Sequence, residues 1–144
     1  MPKEYGNING EAKIKDWVRN GINKDAVEFA ERFGTDLAKM KEGRKDESLT
    51  TAQIRNVFGE VRCIQMSNKK KYDESPILLL RPKLAYSARR ADRKAVYELA
   101  DVLSAGLKAV VADGTDDEKN KRFENFANFF EAVLAYHKAA GGKE

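Results

Sequence analysis

Apolar residues recur every three or four positions along nearly the whole chain, and no segment shows a convincing alternation of apolar and polar residues. That period restricts the fold to helices packed on helices. The clearest stripe is Val96, Leu99, Ala100, Leu103, Leu107, Val110 and Val111, running from an Asp92 cap to a stop at Asp113-Gly114. Thr115 and Glu118 then have capping-box spacing, and Asp116 and Asp117 put negative charge at the positive end of the dipole. Phe123, Phe126, Phe130, Val133 and Leu134 carry that helix to Gly141-Gly142. Thr50 and Gln53 repeat the capping box, with Leu49 and Ile54 placed for a hydrophobic staple. Loss of the Thr50 cap is expected to cost ~1 kcal/mol. Ile54, Val57, Phe58, Val61 and Ile64 follow as a stripe that ends near Ser67-Asn68.

Earlier, residues 10–20 carry Ile14, Trp17 and Val18 on one side and stop at Gly21. A second helix begins at Asn23 with Phe29, Phe33, Leu37 and Met40 on its face, and Gly34 inside it is expected to weaken it by up to ~1 kcal/mol. Ser75-Pro76 opens a further helical region with Ile77, Leu80, Leu84, Ala88 and Ala91 in register. Pro82 lacks an N–H and crowds the carbonyl four residues back, so it either kinks that helix or separates two short ones near Arg81. Residues 41–48 hold no apolar side chain and read as a mobile loop. The expectation is an all-α, single-domain helical bundle of five to seven helices over residues 1–144, with flexible ends at 1–9 and 141–144.

At 144 residues such a domain buries enough surface to fold without disulfide or metal. Its single cysteine, Cys63, excludes an internal disulfide and reads as a small core residue in a reducing, cytoplasmic setting. The longest apolar run, Ile77-Leu78-Leu79-Leu80, is far too short to cross a bilayer, so no membrane role is expected. Met1-Pro2-Lys3-Glu4-Tyr5-Gly6 lacks the apolar core of a secretion signal.

The net charge of +4 is unevenly spread. Residues 1–48 carry ten basic and ten acidic side chains, residues 49–94 eleven against four, and residues 95–144 six against nine. A local excess of this kind suggests one basic face for a polyanion, most often nucleic acid. Arg55, Arg62 and Lys69 recur every seven residues and so share a helical row off the apolar face. Lys83 and Arg90 are also seven apart, and Arg89 and Arg93 four apart. One and two helical turns rise about 5.4 and 10.8 Å, spacings that can meet successive phosphates. Pairing with Glu60, Asp73, Glu74 or Asp92 is the competing account, but four acids cannot neutralise eleven cations. Tyr72 and Tyr86 are candidates to stack on unpaired bases, although burial explains Tyr86 equally well.

Catalytic signatures are scarce. The single histidine, His137, near a helix C-terminus, reads as a carbonyl cap or a surface residue, and nothing pairs it with Cys63 or a serine in a nucleophilic arrangement. The acidic stretch from Asp113 to Glu118 lacks calcium-loop spacing and is explained by capping, and Gly6, Gly10 and Gly21 form no phosphate loop. Neither catalysis nor a cofactor is expected.

The string Leu80-Arg81-Pro82-Lys83-Leu84-Ala85-Tyr86, preceded by Leu49-Thr50-Thr51-Ala52-Gln53-Ile54-Arg55, resembles the small subunit of type III-A CRISPR interference complexes, the Csm small-subunit family. Phe130-Glu131-Ala132-Val133-Leu134-Ala135-Tyr136-His137-Lys138 fits the same family, and the resemblance covers residues 49–142 best. One departure is Ala88-Arg89-Arg90, where the family pattern often has Ala-Gly-Arg; arginine tolerates close backbone approach less well than glycine. The resemblance implies a non-catalytic helical subunit of an antiviral ribonucleoprotein. It would stack in several copies beside other Csm subunits and line the channel that holds guide RNA and target RNA. Phosphate contacts would then be made by Arg55, Arg62, Lys69, Lys70, Lys71, Arg81, Lys83, Arg89 and Arg90, with guide pairing supplying sequence specificity. The competing reading is an oligomerising helical adaptor that docks an acidic protein, motivated by Phe129 and Tyr136, which fall outside the main stripe of their helix. The number of aromatics between Phe123 and Tyr136 also points to self-association. A helix-turn-helix DNA binder lacks the short glycine-containing turn.

Overall fold

The computed structural model describes residues 8–142. The expectation of flexible ends falls outside the described residues for 1–7 and 143–144. Six helices appear among the described residues: α1 (Ile8–Asn20), α2 (Lys24–Lys39), α3 (Thr51–Ser67), α4 (Ser75–Ala91), α5 (Lys94–Val110) and α6 (Asp116–Ala139). α6 is the central element, packed most extensively on α2 and touching α1, α3 and α5 as well, while α4 lies against α5 at the periphery.

The helix limits follow local chemistry. Asn23 caps α2 by accepting from the Ala26 N–H at 2.9 Å. Thr50 and Thr115 each close a full capping box, with Gln53 and Glu118 reaching back to the cap N–H. Gly21 and Gly141, at φ 107° and 83°, end α1 and α6 in the left-handed region that glycine enters without strain. Pro82 sits inside one continuous helix, α4, rather than between two. Asp92 does not cap α5: at φ 50° it is the left-handed C-cap of α4, with its N–H donating to the Ala88 carbonyl.

The cap of α5 comes from elsewhere. Residues 41–48 form a small antiparallel hairpin, β1 (Lys41–Glu42) and β2 (Lys45–Asp46), pairing Lys41 with Asp46 and Glu42 with Lys45. Gly43, at φ 60°, takes the first central position of its two-residue turn. Behind the hairpin Glu47 is buried, and its carboxylate accepts the Lys94 N–H at 2.9 Å while its carbonyl accepts the Ala95 N–H at 3.0 Å. The stretch expected to be a loose loop is therefore a hairpin anchored on α5. No apolar side chain marks it because polar contacts hold it.

The Lys94 N–H, and then the Lys45 ammonium 3.1 Å away, hold the Glu47 carboxyl below the ordinary carboxylate value despite burial. A depressed value means the folded state favours the charged form. The resulting stability is present above the ordinary value and lost as pH falls through the folded one. Glu47→Gln is expected to flatten part of the acid-side fall in unfolding midpoint. Glu118, held low by the Thr115 N–H and hydroxyl, and Glu11, held low against its partial burial by the Lys108 and Lys15 ammoniums, keep their share of it. Identical acid profiles for the two proteins would refute this role for Glu47.

α6 buries two faces. Phe129 meets Trp17 and Phe29 with ring centroids 5.8 Å apart in each pair, while Phe130 receives Phe58 of α3 edge-on at 5.2 Å. Phe129 is only 1% exposed and Tyr136 packs partly buried against the core. This removes the motive for the adaptor reading, and the aromatic count no longer argues for self-association: a central helix has neighbours on both sides. His137 is likewise buried, neither surface residue nor carbonyl cap of its own helix, with Nε2 2.6 Å from the Leu49 carbonyl. Cys63 is exposed, because α3 buries only one side.

Candidate nucleic-acid interface

The start of α3 is tied to α2 and to the chain just past α6. The Leu49 N–H donates to the Leu37 carbonyl at 2.8 Å, and the Thr51 hydroxyl donates to the Gly142 carbonyl at 3.1 Å. With its inner face fixed by Ile54, Val61 and Phe58, α3 turns Arg55 and Arg62 outward, both exposed and two turns apart. The Arg62 guanidinium rests 5.8 Å from the Phe58 ring centre. Lys69 does not continue this row, because α3 ends at Ser67.

Lys69, Lys70 and Lys71 instead occupy the α3–α4 turn, all exposed. That turn is braced from within. Buried Asn68 donates from Nδ2 to the Asp73 carbonyl at 3.4 Å and accepts the Asp73 N–H at 3.3 Å, while Asn120 of α6 donates to the Asn68 carbonyl at 3.3 Å. Tyr72 is half-buried there and its hydroxyl donates to Glu74 at 3.4 Å. Burial, reinforced by the Glu74 charge, pushes its phenol up to about 12.

On α4, Ile77, Leu80, Leu84 and Ala88 face inward, and Arg81, Lys83, Arg89 and Arg90 are exposed. Between α3 and α4 runs a groove of about 90 Å³ lined by Asn56, Val57, Glu60, Leu80, Lys83, Leu84 and Ser87. Lys83 bridges it to Glu60 at 3.6 Å. At 3.6 residues per turn, Arg55 and Arg62 lie roughly 140° and 160° around α3 from Glu60, on the flank away from the groove. Arg90 follows Lys83 on the groove flank of α4; Arg81 and Arg89 take its other exposed side. The nine predicted cations thus form an α3 pair, a lysine turn and two flanks of α4, rather than one plane.

Three of the four acids of the segment are spent elsewhere. Glu74 accepts from Tyr72 and pairs with Lys119 of α6 at 3.0 Å, the Asp73 carboxylate accepts the Ser75 N–H, and Asp92 accepts the Tyr97 hydroxyl. Only Glu60 engages a predicted cation, in a pair more than half exposed on both sides and so worth little. Arg93 and Lys94 are structural: Arg93 donates to the Ser48 carbonyl at 3.1 Å, and Lys94 Nζ lies 2.9 Å from Glu42. Eight of the nine predicted cations form no ion pair among the described residues. Arg89 points to solvent, so the arginine meets no close backbone approach.

The exposure of Tyr86 was open from sequence. It lies two residues beyond Leu84 and two before Ala88, about 160° from each on the helical wheel, and the residue is 65% exposed. That wheel position was the available signal.

Neither curated proteins nor solved structures give a match to the chain. A family model, Csm2 Type III-A, matches residues 23–143, which includes all of α2 to α6 and every predicted cation. The chain therefore belongs to the Csm2 Type III-A family and is a small subunit of type III-A CRISPR effector complexes.

Proposed function

We propose that this subunit is a non-catalytic RNA-binding component, lining the channel for guide RNA and target RNA and gripping backbone phosphates in antiviral defence. The observation that carries the reading is the set of unpaired cations on α3, the lysine turn and α4, left free because the neighbouring acids bond elsewhere. Paired or buried cations would have to break contacts before meeting a phosphate; these do not. Contacts of that kind position a strand without reading its bases, and guide pairing supplies specificity. The subunit works in the cytoplasm beside other Csm subunits, and no helix among the described residues is long and apolar enough to cross a membrane. Family membership is what supports contact between copies of the chain in the complex; such contact would use surfaces other than the buried α6 aromatics.

The test is a salt titration of single-stranded RNA binding by fluorescence anisotropy. With six of the nine cations on phosphates (Arg55, Arg62, Lys69, Lys83, Arg89 and Arg90), log K is expected to fall against log salt with a slope of roughly −4, at ~0.7 per phosphate. A flat titration would overturn the proposal.

A further inference from the structure

Resting on that reading, we propose that the outer edge of α4 is a stacking site for an unpaired nucleobase, with Tyr86 as the platform and Lys83 and Arg90 as its phosphate clamps. Leu79, Lys83, Tyr86 and Arg90 are spaced by four, three and four residues and so share one edge of the helix. Leu79 is 55% and Tyr86 65% exposed, so apolar and cationic groups alternate along a solvent-facing row.

Tyr86 differs from the other described tyrosines. Tyr72 is half-buried with its hydroxyl on Glu74, Tyr97 donates to Asp92 at 3.3 Å, and Tyr136 packs against the core. The Tyr86 hydroxyl has no partner among the described residues, and the ring's one neighbour of note is the Arg90 guanidinium, 5.8 Å from its centre. An exposed ring beside a cation binds the π-face of any base together with its phosphate, and does so without sequence preference. Bases inside a helix already stack on each other, so the ligand is a strand end, a flipped nucleotide or a single strand. Lys83 is held only by its exposed pair with Glu60, which a phosphate can displace.

The test compares the full-length wild type with Tyr86→Ala and Tyr86→Phe on two probes of equal phosphate number, oligouridylate and an abasic ribose-phosphate strand. Anisotropy reads affinity, and sedimentation velocity reads oligomeric state. Tyr86→Ala is expected to weaken oligouridylate binding roughly 5- to 150-fold, leaving abasic binding and the salt slope unchanged, because a base–aromatic stack is worth about 1–3 kcal/mol. Tyr86→Phe keeps the stack and stays near wild type. Equal loss on both probes, or no loss, overturns the stacking site while phosphate binding stands. A change in oligomeric state without base-dependent loss assigns the row to a protein contact and also overturns it. If the wild type binds neither probe, the RNA-binding reading itself fails.

Discussion

Arg55→Glu combined with Arg62→Glu is expected to weaken single-stranded RNA binding by roughly two to three orders of magnitude while leaving helix content intact. Each reversal removes one positive charge and installs a negative one, so the pair shifts the local charge by four units. At about 1 kcal/mol per charge near a polyanion, that amounts to roughly 3–4 kcal/mol. The fold tolerates the change because both side chains are exposed and neither forms an ion pair among the described residues. Arg62 gives up its contact with Phe58, an exposed cation–π interaction worth about 0.5–1 kcal/mol, but Phe58 keeps its edge-on packing against Phe130. Anisotropy measures the loss and circular dichroism the fold. Wild-type affinity in the double variant would move the interface off α3, leaving the lysine turn and α4 to carry it.

Gly34→Ala is expected to destabilise the subunit by about 2–3 kcal/mol, opposite in sign to what helix propensity alone gives. By propensity the glycine is a defect, and alanine should strengthen α2 by up to about 1 kcal/mol. The packing reverses this. A Cβ at Gly34 would fall 2.7 Å from the Val133 carbonyl oxygen and 2.9 Å from both the His137 nitrogen and the Tyr136 Cβ. Two of these three atoms belong to the α6 backbone and cannot rotate away, so α2 and α6 must separate where they pack most extensively. The urea midpoint reads the outcome. Gly59→Ala is the control: its Cβ would enter open space on α3, and only the propensity gain remains. A Gly34→Ala protein as stable as the control would show that α6 shifts without cost.

Most helices were legible because the signals that define them are short. The Thr50/Gln53 and Thr115/Glu118 boxes span three residues, and the stripes of α3, α5 and α6 repeat within a turn or two. The hairpin at 41–46 and the α5 cap were not, since Glu47 meets Lys94 across 47 positions and nothing near either residue announces the other. Cys63, Phe129 and His137 failed for a related reason. Periodicity shows that a helix has an inner side, but not how many neighbours surround it. α3 has one buried side and turns Cys63 out; α6 has several partners and takes Phe129 and His137 in.

The candidate interface divides the same way. Charge counting located the basic segment, and every nominated cation is exposed. That Lys69 leaves the α3 row, that Glu74 and Asp92 are engaged elsewhere, and that Tyr86 is exposed while Tyr72 is half-buried depended on where the chain folds back on itself. From the order of residues came helices, caps and a surplus of positive charge, all governed by neighbours within a few positions. From tertiary structure came the pairing of faces, and with it which charges are left over. Those outcomes turn on contacts between residues tens of positions apart, whose energies no local window contains.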